Sequence, residues 1–156
     1  MESTSLDKKS KESSWSKKQI LGHLIDSAVN NHRRFKIAMH QSHLIFDGYT
    51  QDDEVKLHDY QHREWTSIVS LFSELNLHIA SLILVLKDID LNAWHDQHNY
   101  DRIGFQRVDS SDRTTLAYLV LDYISHMEHH LTQIIPDYTR ILLAYSNDPI
   151  DYNLSD

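Results

Sequence analysis

The chain contains no cysteine among its 156 residues, and this absence excludes several kinds of chemistry at once. Disulfide bonds, thiolate metal ligands and a cysteine nucleophile are all ruled out. A metal ion bound by this protein would therefore take histidine, aspartate or glutamate ligands. Histidine is abundant, with 12 residues, so imidazole ligands are the first to consider.

Glycine and proline are also scarce, with three and two residues respectively. A turn-rich β architecture needs more of both, so the composition favours an all-α fold. The polar segment 1–14, rich in serine, lysine and glutamate, is predicted to be a disordered leader. Residues 15–150 are then predicted to form a single domain, and a chain of this length can bury about two-thirds of its unfolded surface.

Positive charge is in deficit, because 15 lysines and arginines face 23 aspartates and glutamates for a formal net charge of −8. Nucleic-acid binding depends on neutralising phosphates, so this balance disfavours a nucleic-acid partner. No apolar run approaches the roughly 20 residues that span a bilayer, and residues 1–11 contain no apolar signal segment. We expect a cytoplasmic protein with no membrane partner.

Apolar residues recur at helical spacing in several parts of the chain. Ser16 is placed to cap the first helix, with Gln19 at the capping-box position. The pattern predicts helices over 16–42, Gln51–Leu57, 60–87, 114–135 and 137–146. Between the last two long helices, residues 88–113 show no sustained hydrophobic period. A short β ribbon around 103–108 is the one extended element predicted in this connection. Connections of this length often cover a site or cross over a bundle, and we expect both here.

Two histidines one helical turn apart are the strongest functional feature of the sequence. His126 and His130 lie at i and i+4 of a predicted helix, so their side chains point the same way. Taken alone, such a pair is more often solvent-facing than metal-binding. His23, on the first predicted helix, supplies a third imidazole. Three nitrogen ligands would leave coordination positions for water and substrate, as catalytic metal sites do.

Polar residues adjoin these histidines on both helices. On the first helix we predict that Asn30, Asn31 and Arg34 hold an anionic or polar group of a substrate. Asp26 and Asp122 are predicted to orient the ligand imidazoles by accepting hydrogen bonds from their second ring nitrogens. Among the other candidates, His129 is predicted to flank the pocket, Glu128 to be solvated, and His95 and His98 to lie on the surface or in loops.

The motifs occur in a recognisable order: Trp15-Ser16, Gly22-His23-Leu24-Ile25-Asp26-Ser27, Asn30-Asn31, Arg34-Phe35, Gly48-Tyr49, Trp65, and Asp122 to Ile134. In this order they resemble the DinB-like (DinB/YfiT-like) superfamily of metal-dependent enzymes. The resemblance implies a four-helix bundle with a long crossover and a divalent metal held by His23, His126 and His130. Gln133 belongs to the signature without being a ligand.

The resemblance narrows the function without fixing the reaction. Members include thiol-dependent transferases, which use low-molecular-weight thiols as co-substrates, and hydrolase-like proteins, and many have no assigned reaction. A transferase or hydrolase acting on a small molecule is the leading hypothesis. The alternative is a non-catalytic metal- or ligand-binding bundle. Three imidazoles suit zinc or nickel best, with iron or copper also compatible.

Other metalloprotein classes fit less well. The sequence lacks an HExxH motif, which excludes a zincin protease, and it lacks the repeated glutamate set of ferritin-like di-iron proteins. Long amphipathic helices commonly pair about a two-fold axis, so we expect a homodimer with one metal per chain.

Overall fold

The computed structural model describes residues 6–8, 15–86 and 88–142. Its long helices are α1 (Lys17–Ala38), α3 (Trp65–Leu84) and α6 (Leu116–Ile134). Shorter helices lie between them: α2 (Gln51–Leu57), a 3-10 turn (Tyr60–His62), α4 (Asp88–Leu91) and α5 (Tyr100–Ile103). Most of the predicted leader lies outside the described residues. Of its described part, Leu6 is buried and Asp7 pairs with Lys18 at 3.0 Å.

Local signals place the helix starts. The Ser16 hydroxyl accepts a hydrogen bond from the Gln19 backbone N–H, and the Gln19 side chain accepts one from the Ser16 N–H, which confirms the capping box. Asp59 adopts a left-handed backbone conformation with φ of 49°, which interrupts helical hydrogen bonding after α2. Arg63 and Glu64 are then extended, with ψ of 154° and 131°, so the second long helix starts at Trp65 rather than at residue 60.

Two pairs of very short strands hold the crossover 88–113 in place. β1 (His43–Leu44) pairs in parallel with β3 (Gln97–His98), and β2 (Trp94–His95) pairs antiparallel with β4 (Thr114–Thr115). The prediction of a ribbon around 103–108 is wrong, because the paired strands lie before α5 (β2 and β3) and after it (β4). His95 and His98, predicted to lie on the surface or in loops, are buried by this pairing.

Helix α1 lies at the centre, because both α3 and α6 pack against it. One apolar cluster joins α1 and α6 with the crossover, and a second joins α1 with α2, the 3-10 turn and the start of α3. Gly22 allows the close approach of α1 to the 3-10 turn. A Cβ at this position would lie 2.1 Å from the Tyr60 ring.

The long helix α3 is mostly exposed despite its apolar sequence. Among its residues only Ile68 and Ile79 are buried, whereas Leu77 is 63% and Leu84 is 83% exposed. By length and composition, α3 is the one helix among the described residues that could cross a membrane. The sequence reading missed this because polar residues interrupt the run. One of them, Asn76, accepts a hydrogen bond from the Tyr123 hydroxyl of α6 within the bundle.

After α6, residues 137–142 fold back along that helix and are non-helical, where the start of the last helix was predicted. The rest of that predicted helix, 143–146, lies outside the described residues. Glu128 binds this returning segment by accepting hydrogen bonds from the backbone N–H groups of Ile141 and Leu142 and from the Tyr138 hydroxyl. The prediction that Glu128 is solvated is wrong, since the segment covers it and leaves it 2% exposed.

Candidate metal centre

The structure brings the three predicted histidines together between α1 and α6. The Nε2 atoms of His23 and His126 are 3.1 Å apart, and the His130 ring lies 4.9 Å from His23 and 4.8 Å from His126, measured between ring centroids. One donor atom from each imidazole lies within 4.8 Å of the other two. Ligands at about 2.1 Å around a tetrahedral ion would be separated by roughly 3.4 Å, so a small rearrangement would suffice.

Neighbouring side chains orient the imidazoles of α6. The Nδ1 atom of His126 lies 3.3 Å from the Ser27 hydroxyl, and Nδ1 of His130 lies 3.3 Å from the amide oxygen of Gln133. If Nδ1 carries the proton in both rings, Nε2 presents its lone pair to the centre. This arrangement assigns Gln133 an orienting role, in keeping with a signature residue that is not a ligand.

The carboxylates predicted to orient the ligand imidazoles have other partners. Asp26 accepts hydrogen bonds from the Tyr60 hydroxyl at 2.7 Å and from His58 at 3.0 Å. Asp122 accepts hydrogen bonds from the backbone N–H groups of Phe105 and Gln106. The orienting role predicted for Asp26 and Asp122 is therefore replaced by binding of other chain segments. Helical position places a side chain on a face, whereas its partner depends on what packs there.

Burial keeps the three imidazoles neutral. Burial, together with a smaller contribution from the nearby imidazoles, lowers the pKa of His23 to about 4 and that of His126 to about 3. The pKa of His130 is also lowered, again chiefly by burial. Neutral imidazoles have free lone pairs near pH 7, the form in which histidine binds metals. In addition, Nδ1 of His23 is buried without a hydrogen-bond partner. The donor set fits a divalent ion such as zinc or nickel.

A cavity of about 390 Å³ is lined by His126 and His130 of this cluster and is large enough for a small molecule. Asn31 and Arg34 line it, in line with the predicted pocket. Asn30 is not among the lining residues, because its amide donates to the Asp26 carbonyl oxygen within α1. His129 lines the cavity beside the three-histidine cluster, which agrees with its predicted flanking position.

The crossover covers this cavity, as expected. The Phe105 ring lies 5.4 Å from the rings of both His126 and His129. The hydrogen bonds from this segment to Asp122 attach it to α6. The sequence reading missed the lining residues Tyr49, Arg102 and Arg107. Tyr49 could have been found from the Gly48-Tyr49 motif, whereas the two arginines carry no local signal.

Arg34 provides a buried positive charge at the cavity. Its side chain is 7% exposed, donates to the Asp47 carbonyl oxygen at 3.4 Å and lies over the Phe46 ring. Burial lowers the pKa of the guanidinium, yet arginine remains protonated in proteins. A guanidinium has five N–H donors, so these contacts leave donors for an anionic ligand.

Comparison with known proteins agrees with this geometry. The DinB superfamily profile matches residues 2–134. A candidate metal-dependent hydrolase of Halalkalibacterium halodurans is 26% identical over 117 residues, which cover 63% of this chain and 68% of that protein. Another, YfiT of Bacillus subtilis, is 25% identical over 134 residues, which cover 86% of this chain and 70% of YfiT.

The solved structure of YfiT matches this one with a TM-score of 0.66 at 24% identity, covering 86% of this chain and 71% of that chain. That structure is described as an unusual four-helix bundle. The shared fold confirms the predicted all-α, four-helix-bundle class. Within the described residues, α1, α3 and α6 are the long helices of this bundle.

Proposed function

The chain belongs to the DinB superfamily, and from its histidine cluster we propose that it is a metal-dependent hydrolase of small anionic molecules. His23, His126 and His130 would hold one divalent ion, zinc or nickel in preference to iron or copper. The observation that carries the proposal is that three neutral imidazoles converge beside a cavity with a buried arginine. Relatives named as candidate metal-dependent hydrolases support the reaction class.

A divalent ion held by the three histidines would supply Lewis acidity to a bound substrate or water. The protein groups around it have separate tasks. Ser27 and Gln133 orient the imidazoles, and Phe105 limits the access of solvent from the crossover side. Arg34 would hold an anionic group of the substrate through charge-assisted hydrogen bonds, with Asn31 beside it.

The first test is elemental analysis of protein purified without an affinity tag. About one zinc or nickel ion per chain is expected. Hydrolysis should then be assayed on matched pairs of esters and amides, one of each pair bearing a carboxylate or phosphate. Turnover should favour the anionic member and disappear in His126→Ala. Stoichiometric metal without turnover on any pair would instead favour the non-catalytic bundle.

The role of Arg34 has a matched control on the same helix. Arg34→Met should raise KM for the anionic substrate and leave KM for the neutral one nearly unchanged. Arg33→Met removes a neighbouring arginine that is exposed and does not line the cavity, so it should alter neither value. Equal effects of the two substitutions would contradict the proposed anion site.

A thiol-dependent transferase is the second candidate, based on the resemblance of the sequence motifs to the superfamily. Thermal unfolding of metal-loaded protein should be measured with low-molecular-weight thiols, beside the His126→Ala variant. Metal-dependent stabilisation by a thiol would favour transfer over hydrolysis. Stabilisation only by anionic esters or their hydrolysis products would favour hydrolysis.

The proposal extends to partners and assembly. The net charge of −8 supports a small-molecule partner rather than nucleic acid, and the proposal includes a cytoplasmic location.

Exposed leucines of α3 support a homodimer formed through that helix. A membrane partner is the competing explanation of the same apolar surface. Sedimentation and liposome flotation of the purified protein distinguish the two.

A further inference from the structure

A second group of metal-ligating side chains lies where α1 meets α2. It consists of Asp26 on α1, Glu54 on α2 and His58, which caps the end of α2. One donor atom from each lies within 4.8 Å of the other two. Asp26 follows His23 by three residues on the same helix, but the two groups share no side chain.

The close packing of Tyr60 on Gly22 fixes the carboxylate of this second group. Tyr60 donates a hydrogen bond to Oδ1 of Asp26 at 2.7 Å, and the Asp26 side chain is only 4% exposed. Its other oxygen, Oδ2, is buried without a hydrogen-bond partner. An unsatisfied buried carboxylate oxygen is costly, and burial accordingly raises the pKa of Asp26. A bound cation would satisfy this oxygen.

The spacing of the donors fits a six-coordinate ion. Nδ1 of His58, which would lose its proton and its hydrogen bond to Asp26 on binding an ion, lies 3.0 Å from Oδ1 of Asp26 and 3.9 Å from Oε2 of Glu54. Ligands at about 2.1 Å from an octahedral ion are roughly 3.0 Å apart when adjacent and 4.2 Å apart when opposite. The side chains of His58 and Glu54 are partly exposed, at 43% and 36%, so an ion can reach the buried carboxylate from solvent.

We propose that Asp26, Glu54 and His58 form a second divalent-cation site, suited to manganese. The two carboxylates provide anionic oxygen ligands, which hard cations prefer, and the imidazole adds one nitrogen ligand. The histidine cluster between α1 and α6 offers only neutral nitrogen donors. The two sites therefore differ in charge and in the ions they select.

The test uses the full chain with the first site removed by His23→Ala and His126→Ala. In this double variant, Mn²⁺ titration followed by electron paramagnetic resonance should reveal one saturable site per chain. Adding Glu54→Gln or His58→Ala should weaken Mn²⁺ binding at least tenfold. His62→Ala is the matched control, because His62 pairs with Asp59 in an exposed histidine–carboxylate pair that lacks a buried oxygen. It should leave the affinity unchanged.

Two results would overturn the second site. One is a folded double variant, by circular dichroism, that shows no saturable Mn²⁺ binding. The other is binding that survives both Glu54→Gln and His58→Ala. If the double variant does not fold, Glu54→Gln in the otherwise unchanged chain answers the question, because it should lose Mn²⁺ while keeping zinc or nickel. Retention of Mn²⁺ in this variant would also contradict the site. Loss of zinc from the histidine cluster would instead contradict the independence of the two sites.

Discussion

Helices α6 and α3 are nearly equal in length, at 19 and 20 residues, yet they are buried in opposite ways. Helix α6 buries charged and polar residues, including Asp122 and Glu128, because the crossover and the returning segment 138–142 supply partners for them. Helix α3 leaves leucines exposed, because α1 is the helix that it mainly contacts. Burial here depends on which segments are adjacent, and apolar content alone does not predict it.

This contrast also separates two uses of a helix surface. The interface of α1 with α6 retains imidazoles whose burial costs stability, since an unsatisfied buried polar group costs about 1–3 kcal/mol. Buried polar groups that cost stability are retained where they form a functional site. Among the described residues, the exposed face of α3 carries no cluster of metal-ligating side chains. Its exposed apolar side chains suit association with another surface instead.

The largest expected effect concerns the histidine cluster between α1 and α6. His23→Ala, His126→Ala and His130→Ala should each weaken zinc binding by on the order of 100-fold or more, since even loss of an orienting group costs 10–100-fold. His129→Ala should change the affinity little, because His129 only flanks the cluster. Titration of apo protein against a competing chelator measures this. Retained binding in His130→Ala with loss in His129→Ala would reassign the ligand pair.

Close packing around α1 predicts the next effect. Gly22→Ala places a methyl group against the buried Tyr60 ring and should lower the free energy of unfolding by about 3 kcal/mol. Gly48→Ala is the control, because a Cβ there meets no atom within 4 Å. Urea unfolding of both variants gives the comparison. A small effect at Gly22 would show that Tyr60 can move away from α1 without loss.

The exposed face of α3 predicts a smaller effect on assembly. Combining Leu77→Glu with Leu84→Glu should weaken the proposed homodimer at least tenfold while helical content stays unchanged, because both leucines are exposed in a single chain. Ile135→Glu, at an exposed position just after α6, should have no such effect. Sedimentation equilibrium distinguishes the variants. A dimer of undiminished affinity would place the interface elsewhere.

The last expected effect is a dependence of apo stability on pH. Folded-state pKa values of about 4 for His23 and about 3 for His126 lie below the ordinary value of 6.5. Between pH 6.5 and 4 the unfolded chain therefore binds protons that the folded chain does not, and the free energy of unfolding should fall as pH falls.

The control for this pH dependence is the variant with His23→Ala and His126→Ala. Urea unfolding of the two apo proteins should show a shallower pH slope for the variant. Equal slopes would mean that the buried imidazoles are not the groups responsible. With metal bound, release should begin below pH 6.5, because burial already disfavours protonation of the ligands.

Sequence alone determined the features that depend on local chemistry. The capping box at Ser16, helix α2 over Gln51–Leu57 and the shared face of His126 and His130 follow from neighbours within a few residues. The all-α class followed from scarce glycine and proline. The candidate ligand His23 came from a second helix, and its assignment gained support from the order of the motifs.

Tertiary structure decided everything that depends on which distant segments meet. It gave Asp26 the partners Tyr60 and His58, buried Glu128 beneath the returning chain, and brought Arg102 and Arg107 to the cavity. It also left α3 exposed. Helical periodicity fixes the direction of a side chain around its own axis, whereas its partner depends on long-range packing that no local pattern encodes.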